Sequence, residues 1–192
     1  MVSWKRKQAK EQLNIKEKNG VVWLSFPALE ESGLVSHSFS TRIGGVSKGV
    51  FSSMNFSFTR GDEPEHVMEN YRRMAEILGT APEKMVLSYQ THTTHVRKVT
   101  EEDEGKGIVR PRDYQDVDGL ITNVPGIALV TFYADSVSAG SGSPGYWLVS
   151  FRMERNGKQN GKENSGCYER ELWHQSRGCN CLYWPKHLPG LL

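Results

Sequence analysis

The sequence predicts an α+β fold with mixed β-sheets and few helices, a single domain that is incomplete at its C-terminus. Three observations carry this. Apolar runs of strand character alternate with Pro, Gly, Asn and Asp clusters as far as Val137. Only one long segment has helical spacing, so the regular strand and helix alternation of a doubly wound sheet is missing. The pattern then stops: residues 138–192 contain no Asp, Ile or Thr, yet hold Cys167, Cys179 and Cys181 and the tryptophans Trp147, Trp173 and Trp184. A globular domain rarely divides its composition so sharply.

Residues 12–17 and 21–26 flank Lys18-Asn19-Gly20, and Asn-Gly between extended runs predicts a β-hairpin, because both central positions of a type I′ turn need positive φ. A short helix over Pro27–Ser32 ends at Gly33. Val35–Thr41 alternates as a strand and leads into a glycine-bearing loop, Arg42 to Gly49. Val67, Tyr71, Met74, Ala75 and Leu78 then recur at helical spacing, with Asp62 as an acidic cap, Pro64 in the first turn and Gly79 behind. Met85–Tyr89, Val96–Thr100, Leu120–Thr122 and Ile127–Tyr133 read as strands, the last so continuously apolar that burial on both faces is expected.

At 192 residues the chain is long enough for one domain with a core, although a mean hydropathy of −0.55 and 37% hydrophobic residues are lean. A net charge of +2 gives no argument for nucleic acid, and the cluster Lys5, Arg6, Lys7, Lys10 reads as a solvated face. No apolar run approaches the roughly 18–20 residues of a membrane span, and the basic start lacks the features of a signal peptide. A cytoplasmic location is therefore expected, without nucleic-acid or membrane partners. Three cysteines with a lone Cys179-x-Cys181 pair make neither a disulfide framework nor a zinc knuckle.

His92 and His95 lie between two strands in Gln90-Thr-His92-Thr-Thr-His95. The pair suits either a shared metal or hydrogen bonding within the loop, and two ligands do not make a site. Asp135-Ser136 closes the most apolar strand, either as the rim of a catalytic site or as a turn. The loop from Arg42 offers a guanidinium and backbone N–H groups, a combination that suits phosphate, though it is neither a Walker nor a Rossmann pattern. Glu101 to Glu104 and Asp116-Val-Asp118-Gly119 read as solvated turns, with Asp118 the strongest candidate among them.

Together the motifs resemble one family. They are His37-Ser-Phe-Ser-Thr-Arg42-x-Gly44-Gly45-Val-Ser47-x-Gly49, Ser53-Met-Asn55, Gly61-Asp62-x-Pro64-x-x-Val67-x-x-Asn70-x-Arg72, Gln90-x-His92, Val99-Thr-Glu101-x-Asp103, Asp116-x-Asp118-Gly119-Leu-Ile-Thr122-Asn123-x-Pro125-Gly126 and Ala134-Asp135. Over about residues 20–137 they are similar to the bacterial laccase-domain, or multicopper polyphenol oxidase, family. The resemblance implies zinc-dependent purine nucleoside phosphorylases, which act on adenosine, inosine and methylthioadenosine with phosphate and also deaminate adenosine. It implies a metal held by the His of Gln-x-His, a Cys after Ala-Asp, and a His in a later His-x-Gly-Trp-Arg-Gly-Thr motif. Carried over, the first ligand is His92, the second falls on Ser136, whose hydroxyl is a far poorer ligand than a thiolate, and the third is missing. Arg42, Gly44, Gly45, Asn55 and Asp118 are the candidates for contact with substrate or phosphate.

The tail suggests the right gene read in the wrong frame. Shifted forward by one base from codon 137, codons exist that read SPLVLDPRAIGLSHSGWRGTV, which contains the missing motif. The forced positions matter most: TGG followed by any base yields glycine, so Trp147, Trp173 and Trp184 each become glycine, in AIGLSH, SYGTNP and YIGPSI. Met153 before Glu154 forces tryptophan where the motif has one. Residues 138–192 are therefore expected to be an out-of-frame, largely irregular tail, and the chain an impaired member of its family. A non-catalytic protein that binds a nucleoside or phosphate is the alternative. A copper-dependent phenol oxidase fits less well, because no clustered His₂Cys set is visible. Oligomeric state is not indicated.

Overall fold

The structure is a computed structural model that describes residues 13–33, 35–91, 93, 95–132, 136–140 and 146–152, the last two segments as backbone. It is α+β, with small mixed sheets and two α-helices among the described residues. The chain divides into two compact units at Asn70–Tyr71.

In the first unit, β1 (Asn14–Lys18) and β2 (Val21–Ser25) form the expected hairpin, with Lys18 opposite Val21. Asn19 and Gly20 take φ of 52° and 78°, as a type I′ turn requires. The short helix α1 (Pro27–Ser32) ends on Gly33 in the left-handed region, whose N–H donates to the Glu30 carbonyl. The strand expected over Val35–Thr41 shrinks to β3 (Phe39–Ser40), antiparallel to β2 through Trp23 and Leu24. Val21 and Leu24 are buried.

The long helix α2 (Pro64–Leu78) buries Val67, Asn70, Tyr71, Met74 and Ala75, a stripe at 3–4 spacing. Its end is a Schellman motif: the Gly79 N–H reaches the Glu76 carbonyl at 3.2 Å and the Thr80 N–H the Ala75 carbonyl at 2.9 Å, with Gly79 at φ 72°. At its start, the Asp62 carboxylate takes the N–H of Glu63 at 2.9 Å, one residue ahead of the helix.

The second unit pairs β4 (Met85–Leu87) in parallel with β7 (Ala128–Val130). A four-stranded sheet has the order β5-β6-β9-β8: β5 (Val96–Lys98) runs parallel to β6 (Gly119–Thr122), which pairs antiparallel with β9 (Tyr146–Arg152), itself antiparallel to β8 (Ser136–Gly140). Val86, Val99, Tyr114, Val117 and Leu120 form the buried core, with Ile127 and Leu129 packed against it.

Two differences from expectation have physical reasons. Residues 127–131 are half-buried and Phe132 is exposed, so the apolar run is not covered on both faces; β4 is its one partner strand among the described residues. And β8 and β9 place regular pairing within the segment expected to be irregular. Tyr146 to Arg152 is a short run rich in aromatic and apolar residues, which suits a strand whatever its origin. Residues 153–192 lie outside the described residues.

Candidate functional site

The loop after β3 is built from backbone contact. An added Cβ on Gly44 would stand 2.3 Å from the Gly20 carbonyl oxygen, and one on Gly45 2.0 Å from the Ser53 carbonyl oxygen, so both positions exclude a side chain. Four of the loop's N–H groups are spent inside the unit. Ile43 donates to Thr41 Oγ1 at 3.2 Å, Gly45 to Ser53 Oγ at 3.1 Å, Val46 to Asn70 Oδ1 at 2.9 Å and Ser47 to the Ser53 carbonyl at 3.0 Å. Gly44 and Gly45, expected to contact phosphate, serve close packing in this unit. Arg42 is exposed, with Nε and Nη2 both on the Ser52 carbonyl at 3.3 and 2.7 Å, which anchors the guanidinium.

Asn55 also turns inward. Its Nδ2 donates to Asp62 Oδ2 at 2.9 Å and its Oδ1 accepts the Ser57 N–H at 3.1 Å, so the amide organises the loop. The bond from Asn55, joined by bonds from Ser47 and the Glu63 N–H, holds the Asp62 carboxyl below its ordinary range. The hub of the unit is a residue not singled out as a candidate. Asn70, fully buried on α2, donates from Nδ2 to Ser47 Oγ at 2.9 Å, to the Asn55 carbonyl at 2.8 Å and to the Ser53 carbonyl at 3.3 Å, while its Oδ1 takes the Val46 N–H.

In the second unit, Asp118 is 3% exposed and is directed at the histidine loop. Its Oδ2 accepts the Thr93 N–H and hydroxyl, both at 2.8 Å, and the Thr91 N–H at 3.3 Å. The backbone N–H groups of Asp118 and Gly119 both donate to the His95 carbonyl. Asp116, at φ 55°, accepts the Thr91 hydroxyl at 2.7 Å. Asp118, expected as a contact for substrate or phosphate, here fastens Thr91 and Thr93. His92 and Asp135 lie outside the described residues; Ser136 opens β8.

Asp103 departs from its expected role as a solvated residue. It is 3% exposed, with Oδ1 receiving Lys106 Nζ at 2.7 Å and Arg97 Nη2 at 2.8 Å and Oδ2 receiving the Thr100 N–H at 3.0 Å. Burial raises the pKa of an acid, but these bonds outweigh it and hold the carboxyl at about 2. Nearby, an open groove of about 530 Å³ is lined by Tyr89, Arg112, Asp113, Tyr114 and Gln115, with the Arg112 guanidinium 4.5 Å from the Tyr89 ring centre.

The candidates thus fall into two sets, Arg42, Gly44, Gly45 and Asn55 in the first unit and Asp118 and Ser136 in the second. Among the described residues no group of three His, Cys, Asp or Glu side chains could hold a metal ion. The donors at the expected positions do not fit zinc. A serine hydroxyl at residue 136 stays protonated near neutral pH, and the third position has no histidine, whereas zinc sites use three or more protein ligands. No helix of the described residues is long and apolar enough to cross a membrane.

Comparison with known proteins adds what the geometry lacks. A family model described as multi-copper polyphenol oxidoreductase laccase matches residues 36–139. The chain is 36% identical over 131 residues to "Purine nucleoside phosphorylase YlmD" of Geobacillus stearothermophilus, covering 66% of this chain and 46% of that protein. It is 36% identical over 96 residues to "Purine nucleoside phosphorylase YfiH" of Escherichia coli, covering 50% and 36%. Among solved structures, YlmD from Geobacillus stearothermophilus superposes with a TM-score of 0.62 at 27% identity, covering 85% of this chain and 58% of that one. The Bacillus licheniformis hypothetical protein YfiH gives 0.62 at 26% identity, covering 72% and 52%. The chain spans less than half the length of these curated relatives.

Proposed function

We propose, since the chain belongs to the multi-copper polyphenol oxidoreductase laccase family, that it is the N-terminal part of a purine nucleoside phosphorylase whose remaining site residues have been lost to a change of reading frame. The observation that carries this is the match over residues 36–139 together with relatives named for that activity. The match ends two residues beyond Val137, where the sequence changes character.

In the reaction, a phosphate oxygen attacks the anomeric carbon of a purine nucleoside such as adenosine, inosine or methylthioadenosine. The bond to the purine breaks, and the base leaves with the electron pair and takes up a proton. Positioning and charge stabilisation are the protein's share. From this chain, Arg42 supplies an exposed, anchored guanidinium suited to phosphate. His92 and Asp135-Ser136 occupy the family's site positions. Zinc does not fit the donors present, so no step is assigned to it, and adenosine deamination is read as an activity of intact relatives only. Copper fits no better, for want of a His₂Cys set.

Two measurements test the reading. Adenosine plus phosphate incubated with this chain is expected to give no ribose 1-phosphate above background; turnover at the level of an intact relative overturns the impairment. The coding DNA across codons 130–192 is expected to yield the GWRGT reading after one inserted or deleted base. A frame that stays intact under every single-base repair removes the explanation. Retention of nucleoside or phosphate without turnover, measured by calorimetry, would favour the binding remnant instead.

A further inference from the structure

We propose that the groove between Tyr89 and residues 112–115 is a binding site for a small organic anion. Arg112 grips its carboxylate or phosphate group, and the Tyr89 ring supports its flat body. The proposal stands on the second unit alone and is independent of the phosphorylase reading. Both walls of the groove are fixed by bonds within the protein. Tyr89 exchanges both of its backbone bonds with Val117, at 3.0 and 2.9 Å, and the Tyr114 hydroxyl donates to the Leu87 carbonyl at 2.6 Å. At about 530 Å³ the space suits a ligand larger than a bare ion.

Arg112 is held along its whole length. Its stem lies over Gly107, where an added Cβ would stand 3.1 Å from Cδ and 3.2 Å from Cγ. Nη1 donates to the Ser88 carbonyl at 2.5 Å, and the guanidinium is 4.5 Å from the centre of the Tyr89 ring. What is left is the edge formed by Nε and Nη2, whose parallel N–H groups match two oxygens of a carboxylate or phosphate. Among the described residues that edge has no acceptor, and Arg112 makes no ion pair. The other charges around the groove cancel. Asp103 takes Lys106 and Arg97, and Lys106 also takes Asp113 at 2.8 Å, so these two cations are matched by two carboxylates and Arg112 is the unbalanced charge. An arginine ordered in advance loses little further freedom on binding. Beside it the Tyr89 ring, 39% exposed, offers a face for an aromatic or other flat body.

The test titrates benzoate, phenyl phosphate, inorganic phosphate and uncharged benzamide into the full-length chain. Arginine Nε–H signals are followed by NMR, that of Arg112 being identified by its loss in Arg112→Lys. Saturable movement of the Arg112 signal with a Kd of about 1 mM is expected for benzoate or phenyl phosphate, and the tighter of the two names the head group. Inorganic phosphate is expected to bind about fivefold more weakly or worse, and benzamide to leave the signal in place. Arg112→Lys keeps the charge but loses the fork, and should weaken binding, read from the Tyr89 ring signals, by about tenfold. Tyr89→Leu leaves the arginine and should weaken the ring-bearing anions by about fivefold. The site is overturned by the absence of a saturable Arg112 shift at ~50 mM of each anion, by an equal response to benzamide, or by anions that move other arginine signals and not this one. Affinity unchanged within about twofold in Arg112→Lys overturns it too, and should that variant fail to fold, unchanged affinity in Tyr89→Leu has the same force. Inorganic phosphate binding as tightly as phenyl phosphate overturns the organic body.

Discussion

Asn70 holds three segments of the first unit with one side chain, and an amide is the only neutral group of that size with both donors and acceptor. Asn70→Asp places a carboxylate against the Asn55 and Ser53 carbonyls in a fully buried position. We expect a loss of about 3 kcal/mol in chemical denaturation, and a change under 1 kcal/mol would remove Asn70 from this role. His37 gives a second prediction. Its Nε2 accepts the Phe26 N–H at 2.7 Å, which requires the neutral ring, and burial lowers its pKa, with Glu30 opposing more weakly. The unfolded chain then binds the extra proton first, so stability is full above the ordinary histidine pKa and falls as pH drops below about 6.5. Denaturation midpoints between pH 7.5 and 5.5 should show this decline, and His37→Asn should flatten it.

Among the elements, those specified by neighbours in sequence were legible. The β1–β2 hairpin follows from Asn19-Gly20, and α2 from its apolar spacing and the glycine that closes it. The site was legible as motifs but not as roles. Gly44 and Gly45 read as part of an anion loop, but a sequence does not reveal that the backbone atoms of Gly20 and Ser53 occupy the space a side chain would need. The partners of Asp118 were hidden for a similar reason, since they lie 25 residues or more away in Thr93 and Thr91. The β4–β7 pairing, across some forty residues, left no periodicity to read. The element-scale prediction follows from the close approach. Gly45→Ala should cost about 2–3 kcal/mol through overpacking, whereas Gly61→Ala, with open space around it, should cost less despite its φ of 94°. Equal Tm losses for the two variants would show that backbone conformation, not contact, sets the cost.

For the whole molecule, the family match and the change at Val137 bear on the same question from independent directions. Restoring the shifted frame should yield a protein that retains zinc through dialysis and shows phosphorolysis, while the chain as it stands should lose added zinc on the same treatment. Failure of the restored protein to hold the metal would count against the ligand set, whatever its activity. The parallel pairings carry a further consequence, for the order of folding. The hairpin closes over a two-residue turn and can form within microseconds. By contrast, β4 must wait for β7 and β5 for β6, so the second unit pays the entropy of long loops before any strand is rewarded. During synthesis the first unit can organise while the second still exposes unpaired edges, which makes residues 85–130 the stretch most in need of chaperone protection.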